Sequence, residues 1–242
     1  MGGKSFFADA LLTTDGEFRL YVGGSDSEGL GAANALLELS KPGRSLQFVG
    51  EVTPSTTQIS GTGQVIGQDC APPEVVAFCA AVAEASISLT VGAGELLGEI
   101  DVATPGGIEA WSVELGVWPN SSEMPPRNLA GQYGELLAEF ERDGDVVITI
   151  DDAGKLFFQG ASSGCTGNGD VSPHLAGRLN VYDVTLTIAS CNATHAHLNG
   201  AYTGLATTTA SSYWNYDMLL RVWLSTGDAA APAAVTMLAE YL

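Results

Sequence analysis

The alternation of apolar and polar positions is clearest over residues 180–188. The residues at even positions fall on one face, and the residues between them are more polar. Those on the first face are Asn180, Tyr182, Val184, Leu186 and Ile188. A period of two is typical of a β-strand with one dry and one wet face. A polar loop with a cysteine follows, and then a second apolar run bracketed by Gly200 and Gly204. The stretch 180–206 therefore predicts a strand, a long turn and a second strand.

Similar patterns recur along most of the chain. Two apolar runs, 6–12 and 17–22, flank an Asp-Gly pair at 15–16, which is a strong hairpin signal. Further strands are predicted wherever short apolar or alternating runs end in glycine, proline or acidic turns. These runs are 45–52, 58–66, 86–91, 95–102 and 108–117 in the first half, and 131–140, 146–150, 155–159, 216–224 and 234–242 in the second.

Residues 69–85 are the least strand-like part of the chain. Two prolines at 72–73 precede Glu74 and a run of small apolar residues. Proline and glutamate are both favoured in the first turn of a helix. A short helix near 74–83 is therefore compatible with the sequence.

The two halves of the chain have similar patterns. Residues 86–91 align with 183–188, and Leu97-Gly98 aligns with Thr203-Gly204 after an insertion in the second half. Between the halves, 118–127 contains three prolines and no periodicity, which is typical of a stiff linker. A long surface loop within one domain and independent strand patterning are the alternatives.

The predicted fold is all-β, with two tandem, small, antiparallel barrel or barrel-like domains. Closed or nearly closed sheets are expected because long open edges invite aggregation. The predicted bounds are 1–117 for the first domain, 118–127 for the linker and 128–242 for the second domain.

Composition narrows the range of partners. The chain has 242 residues, of which 45% are hydrophobic, so a sizeable core is expected. It has 9 basic and 28 acidic residues and a net charge of −19. Such a field repels phosphate backbones and anionic lipid surfaces, so nucleic acid is not expected as a partner. Solubility explains the acidity, and an acidic cleft for cations or basic partners is the alternative.

Targeting and membrane signals are weak. No apolar run approaches the roughly 20 residues that cross a bilayer, and no apolar region typical of a signal peptide follows Met1. Both observations fit a mature secreted domain without its leader.

Four cysteines are divided evenly between the halves, without the spacing of a metal site. The pairings Cys70–Cys79 and Cys165–Cys191 keep each bridge within one half. An oxidising compartment follows, whether the periplasm, the cell surface or the medium. Four buried thiols in a cytosolic protein are the alternative.

Two patterns suggest chemistry. Residues 160–164 fit G-x-S-x-G, so Ser162 is a candidate nucleophile, but the glycine-rich segment that follows favours a turn over a helix. His195 and His197 have the spacing of a chelating pair on a strand, with His174 or Asp170 as a third ligand. Because the pair lies in a polar loop, the sequence favours a solvated loop over a metal site.

Acidic pairs and aromatic residues complete the candidates. The pairs 143/145 and 151/152 flank one strand and could bind calcium, but hairpin turns explain them. The aromatic candidates for a binding site, which could stack on sugars, ligands or partner proteins, are Tyr202, Tyr213, Trp214 and Tyr216, together with Trp223. The alternative for Trp214 is that it plugs the end of a barrel.

Several motifs resemble those of a broad class of bacterial envelope lipoproteins. They are Ser-Gly-Cys-Thr-Gly at 163–167, Asn-Val-Tyr at 180–182, Gly-Ala-Tyr-Thr-Gly at 200–204 and the opening hairpin at 11–18. The resemblance implies two small β domains, no assigned biochemical role and a lipid anchor upstream of this sequence, which itself lacks the lipidated cysteine.

The sequence therefore favours an extracytoplasmic, non-catalytic binding or protein-interaction module of the bacterial envelope, using loops of the second domain. No cofactor is expected, and the partner is an unspecified protein or small ligand. The alternatives are a small-ligand or metal-binding barrel that uses His195 and His197, and a serine hydrolase that uses Ser162.

Overall fold

A computed structural model of the chain describes ten ranges of residues. They are 7–13, 15–23, 45–67, 83–104, 107–116, 127–138, 146–177, 180–211, 216–226 and 233–242. Within them the chain forms two compact units, one up to Gly116 and one from Arg127. Both units consist of antiparallel strands, so the all-β fold predicted from the sequence is confirmed.

The first unit is a seven-stranded sheet in which each strand pairs with the next along the chain. The strands are β1 (Phe7–Leu12), β2 (Glu17–Gly23), β3 (Ser45–Pro54), β4 (Gln58–Gly67), β5 (Ala83–Val91), β6 (Glu95–Thr104) and β7 (Gly107–Gly116). The sheet curls around its own apolar core, where Phe18 and Phe48 meet edge to face with ring centroids 5.8 Å apart. The opening hairpin predicted from the Asp-Gly turn is confirmed as β1 and β2.

The second unit is a closed barrel of eight strands with the same up-and-down order. The strands are β8 (Gly131–Ala138), β9 (Val146–Ile150), β10 (Lys155–Gly160), β11 (Thr166–Pro173), β12 (Val181–Ala189), β13 (Gly200–Ser211), β14 (Tyr216–Thr226) and β15 (Ala234–Tyr241). Short 3₁₀ helices lie at His174–Gly177 and Ala196–Leu198. Pairing of β15 with β8 closes the barrel, so none of its strands is left as an edge.

The clearest strand of the sequence lies in the barrel wall as β12. Its even-numbered residues from 182 to 188 are buried in the barrel core, and Asp183, Thr185 and Thr187 are exposed. At its start, the buried Asn180 side chain donates to the Thr208 carbonyl at 2.6 Å, and the Thr208 hydroxyl donates to Asn180 Oδ1 at 3.0 Å. These bonds fix the register of β12 against β13.

Inward-facing glycines let neighbouring barrel strands approach each other closely. A Cβ added to Gly169 would lie 1.8 Å from the Thr185 carbonyl oxygen, and one added to Gly204 would lie 1.8 Å from that of Trp223. Real Cβ atoms are not found at such distances, so only glycine allows this approach of neighbouring strands. The glycines that the sequence places beside apolar runs therefore shape the barrel.

The sequence-aligned segments lie at the same position in each unit. Residues 86–91 are on β5 and 183–188 on β12, which are both fifth strands. The strand pairing differs, because Leu89 pairs with Gly98 whereas its aligned residue Leu186 pairs with Tyr202 rather than Gly204. Relative to the sequence alignment, the pairing of the fifth strand with the sixth is thus shifted by two residues in the second unit. A shift of two residues keeps the same face of the strand inward.

Some predicted features lie outside the described residues. They are 74–82 of the predicted helix, Cys70, Cys79 and most of the linker 118–127. Ala83, at the end of the predicted helix, instead begins strand β5. Cys165 and Cys191 form a disulfide, as predicted. Within the described ranges, no helix combines the length and apolar character needed to cross a membrane.

Candidate functional site

The barrel interior is packed with side chains from its own strands. Tyr133 and Tyr202 are fully buried there, and their hydroxyls donate to the carbonyls of Leu129 and Leu198 at 2.8 and 2.9 Å. Burial raises the pKa of Tyr202 to about 12, so its hydroxyl stays protonated. An eight-stranded barrel is just wide enough to be filled in this way, and the barrel's own side chains form its core.

The disulfide ties two connections together at one end of the barrel, here called the disulfide end. Cys165 follows β10, and Cys191 follows β12. Asn192 adds two bonds to the same turn, because its backbone N–H donates to the Ser163 carbonyl at 2.8 Å and its side-chain amide to the Ser162 carbonyl at 3.0 Å. The turn and the loop are therefore held as one rigid cap.

Ser162 lies in this turn, in an environment that differs from a hydrolase elbow. The chain leads from Ser162 into strand β11 rather than into a helix, and the Ser162 residue is exposed. His174 lies beyond the far end of β11, about 25 Å away at ~3.3 Å per residue. His195 is at the same end as Ser162, but the hydrogen bonds of its ring and of its backbone N–H go to Asn192. The surroundings of Ser162 therefore differ from a hydrolase elbow, and the His195 and His174 rings bond to Asn192 and Asp183.

The histidine pair lies in the loop between β12 and β13. The His195 and His197 rings are 6.4 Å apart between centroids, and His197 is half-buried. The predicted third ligands lie elsewhere, since Asp170 pairs with Lys155 and the His174 ring bonds to Asp183 at 2.7 Å. Among the described residues, no three histidine, cysteine or acidic side chains come together to hold a metal ion.

The acidic turn before β10 is structural. Asp151 Oδ1 accepts hydrogen bonds from the backbone N–H groups of Ala153 and Lys155 at 2.9 and 2.8 Å. These bonds are those of a hairpin turn, as the sequence predicts. The pair at 143 and 145 lies outside the described residues.

The aromatic candidates do not form one cluster. Tyr202 is inside the barrel near the disulfide end, whereas Tyr216 begins β14 at the opposite end. The two positions are separated by most of β13, about 30 Å at ~3.3 Å per residue. Tyr213 and Trp214 lie outside the described residues. Tyr202 therefore contributes to the core rather than to a binding surface.

A concave surface of about 360 Å³ lies on the outer wall of strands β8 to β11. We call it the Phe157 face, after its most exposed apolar side chain, and define it by seven outward-facing residues. They are Gln132, Val147, Thr149, Phe157, Gln159, Thr166 and Asn168. All of them come from regular strands, which hold side chains more precisely than loops do.

Strand pairing sets the layout of the Phe157 face. Phe157 pairs with Thr149 on one side and with Asn168 on the other, so the ring stands between a hydroxyl and an amide. One row along, Gln159 pairs with Val147 and Thr166 in the same way. Residues that pair directly across strands have Cβ atoms about 5 Å apart, which brings these side chains within reach of one ligand.

Among the described residues of the barrel, Phe157 and Tyr241 are the two rings that are about half exposed. The Phe157 side chain is 48% exposed, whereas the neighbouring Phe158 is 3% exposed and faces the core. By contrast, the outward-facing Leu205 and Trp223, on β13 and β14, are 0% and 1% exposed. The Phe157 ring and the partly buried Val147 therefore form a small apolar area among polar side chains on the outer wall of β8 to β11.

The Phe157 face carries no formal charge. In a chain of net charge −19, its lining consists only of amides, hydroxyls, apolar side chains and glycine. Charged residues lie beyond one end of this lining, where Lys155 and Asp170 form an ion pair with each other and Asp151 follows β9. Asp170 accordingly raises the pKa of Lys155, through a hydrogen bond and its charge. The face therefore suits a neutral ligand that can both donate and accept hydrogen bonds.

One residue of this surface, Phe157, can be placed in solvent from the sequence pattern of its own strand. Residues 155–159 read Lys-Leu-Phe-Phe-Gln, so placing Lys155 and Gln159 in solvent also places Phe157 there. What the sequence does not show is which side chains of β8, β9 and β11 lie beside the ring. That depends on register across four strands.

Comparison with known proteins finds no matching family model, no similar curated protein and no similar solved structure. The resemblance to envelope lipoproteins stays a prediction from short motifs, and function is inferred from the geometry of the Phe157 face.

Proposed function

We propose that the protein is a non-catalytic binding module of an extracytoplasmic compartment, and that the Phe157 face of its second unit binds a neutral, hydroxyl-rich ligand, that is, a saccharide. The observation that carries this proposal is the half-exposed Phe157 ring in a concave, uncharged lining. An aromatic ring offers apolar contact area at little cost in conformational entropy, which suits the C–H face of a sugar.

The polar residues around the ring match the hydroxyl groups of a sugar. Gln132, Gln159 and Asn168 each carry an amide that donates and accepts, and the hydroxyls of Thr149 and Thr166 do the same. The absence of charge from this lining disfavours phosphate and basic ligands, which an ionic site would select. The volume of about 360 Å³ is at the lower end of the range for small-molecule sites.

The compartment is supported by the Cys165–Cys191 disulfide. Disulfides persist in oxidising surroundings and are rare in the cytosol. Assignment to the bacterial envelope comes from the motif resemblance. The sequence favours loops as the binding element, whereas the described geometry favours the strand wall, because that is where the neutral, concave lining occurs.

The test is a panel of neutral and charged glycans screened against the whole chain, followed by calorimetry on those that bind. We expect binding of a neutral glycan, with affinity reduced at least tenfold, or about 1.4 kcal/mol, by Phe157→Ala. Phe157→Tyr should retain affinity because it keeps the ring. Leu97→Ala, which truncates a 40% exposed apolar side chain in the first unit, is the matched control.

Because Phe157 is outward-facing, its replacement should leave the thermal midpoint nearly unchanged. Binding of no neutral glycan, or binding that is equally strong in Phe157→Ala, would reject the proposal.

A further inference from the structure

The Phe157 face is longer across the strands than along them. Its lining comes from four neighbouring strands, β8 to β11, which are three strand spacings, about 14 Å, from first to last. Along each of β10 and β11 it has only two outward positions, Phe157 with Gln159 and Thr166 with Asn168, about 7 Å apart. A ligand that used the whole lining would therefore be elongated across the strands.

The face ends differently in these two directions. Along the strands it ends at the ion pair of Lys155 and Asp170 on one side and at the disulfide end on the other. Across the strands, Asn168 pairs with Thr187 of β12, whose side chain is exposed, so outward polar side chains continue past the lining. The long direction of the face is thus also the one in which a chain of sugar units finds further hydroxyl partners.

Leu242 borders the face on its β8 side. Its backbone N–H donates to the Gln132 carbonyl at 2.9 Å, which continues the contact of β15 with β8 one residue beyond Tyr241. Its side chain lies over Gly134, because a Cβ added to that glycine would be 2.9 Å from Leu242 Cδ2. Gly134 pairs with Val147, a residue of the Phe157 face. The Leu242 side chain therefore lies next to the lining, in a space that only a glycine leaves open.

Leu242 and Phe157 are two exposed apolar side chains on either side of β9. Leu242 is 64% exposed, compared with 48% for Phe157, whereas Val147 and Thr149 of β9 are partly buried between them. Phe157 pairs with Thr149, and Thr149 pairs with Gln132. Strands β10 and β8 are thus two spacings, about 10 Å, apart. That separation is wider than one pyranose ring, so a single sugar stacked on Phe157 leaves Leu242 without a ligand contact.

We propose that the Phe157 face binds a neutral oligosaccharide lying across the strands rather than a single sugar, and that Leu242 is a specificity-determining residue that contacts a second unit. This inference rests on the saccharide binding proposed above. One sugar ring stacks on Phe157, and the next unit toward β8 packs its C–H groups on Leu242. Gln132 and Thr149 lie between these two contacts and bond to hydroxyl groups there.

The test is calorimetry on the whole chain with mono-, di-, tri- and tetrasaccharides of glucose, galactose and mannose. In the series that binds, we expect affinity to rise at least tenfold from the monosaccharide to the trisaccharide. Leu242→Ala should weaken binding of the disaccharide and longer chains severalfold and leave the monosaccharide unchanged, whereas Phe157→Ala should weaken all of them. Because Leu242 is exposed, its replacement should leave the thermal midpoint nearly unchanged.

Gly134→Ala is the second variant, because its methyl group displaces the Leu242 side chain without removing it, and it should reproduce the effect of Leu242→Ala. Leu97→Ala in the first unit is again the control. A monosaccharide that binds as tightly as the trisaccharide, or longer chains that bind Leu242→Ala unchanged, would overturn this inference while the dependence on Phe157 upholds the saccharide site. If no sugar of any length binds, or none depends on Phe157, both proposals fail together.

Discussion

Among single residues, His197 shows the clearest effect of burial at the disulfide end. Burial lowers the pKa of His197, and the nearby His195 acts in the same direction, while the backbone of Thr194 opposes it. Between the lowered value in the folded protein and the ordinary value of about 6.5, the unfolded chain binds more protons. The stability that His197 contributes is therefore present at neutral pH and decreases as the pH falls.

We predict that His197→Gln loses less stability than the wild type on acidification from about pH 7.5 to about pH 5.5. The measurement is urea unfolding at several pH values in this range, with the free energies of the two proteins subtracted. His195→Gln is the matched control and should keep most of the dependence, because burial is the larger cause for His197. Equal pH dependence in the wild type and His197→Gln would contradict the assignment.

Single residues also show where sequence reasoning succeeded. The inward positions of β12 were predictable because the barrel buries one face of that strand. Apolar and polar residues therefore alternate along its sequence. Tyr202 was a candidate binding residue as well as part of a predicted strand, and its ring lies in the barrel core rather than on a binding surface. Distinguishing the two requires knowing that Leu186 pairs with Tyr202.

At the level of whole strands, close approach between β13 and β14 depends on Gly204. We predict that Gly204→Ala destabilises the barrel by about 1–3 kcal/mol, because the added methyl group meets the backbone of Trp223 and Leu224. Gly200→Ala on the same strand is the control. Its Cβ would have its nearest neighbours at 3.7 and 3.8 Å, an ordinary contact, so little change or a slight gain is expected.

Chemical denaturation of both variants measures this difference. Similar losses in the two variants would show that strand propensity, rather than the close approach at Gly204, is responsible.

Strand existence was easier to predict than strand arrangement. Most of the runs found by alternation correspond to strands, since the turns between them carry glycine, proline or aspartate. The sequence did not predict that only the second sheet closes. Closure requires an eighth strand that pairs with both the seventh strand and the first. The aligned glycines 98 and 204 show the same limit, since they resemble each other in sequence but differ in register by two residues.

For the molecule as a whole, each unit has its own apolar core, and the Cys165–Cys191 disulfide constrains the second unit. The bridge joins residues 26 apart in sequence, and closing such a loop contributes about 3 kcal/mol. We predict that the double variant Cys165→Ala/Cys191→Ala loses stability only in the second unit. Hydrogen exchange in increasing denaturant, followed separately for β5 and β12, measures this.

Adding reductant to the same double variant serves as the control, because it isolates any contribution from Cys70 and Cys79. An equal loss in both units would mean that they unfold together.

The pairing of β15 with β8 has a consequence for the order of events on the ribosome. Each strand from β9 to β15 pairs with its immediate predecessor, so each can dock as it emerges. The first unit has all seven of its strands by Gly116 and can fold while synthesis continues. The barrel has to wait for Tyr241, more than a hundred residues after Tyr133, its partner in β8. During translation the nascent barrel therefore keeps two unpaired edges until its last strand has left the exit tunnel.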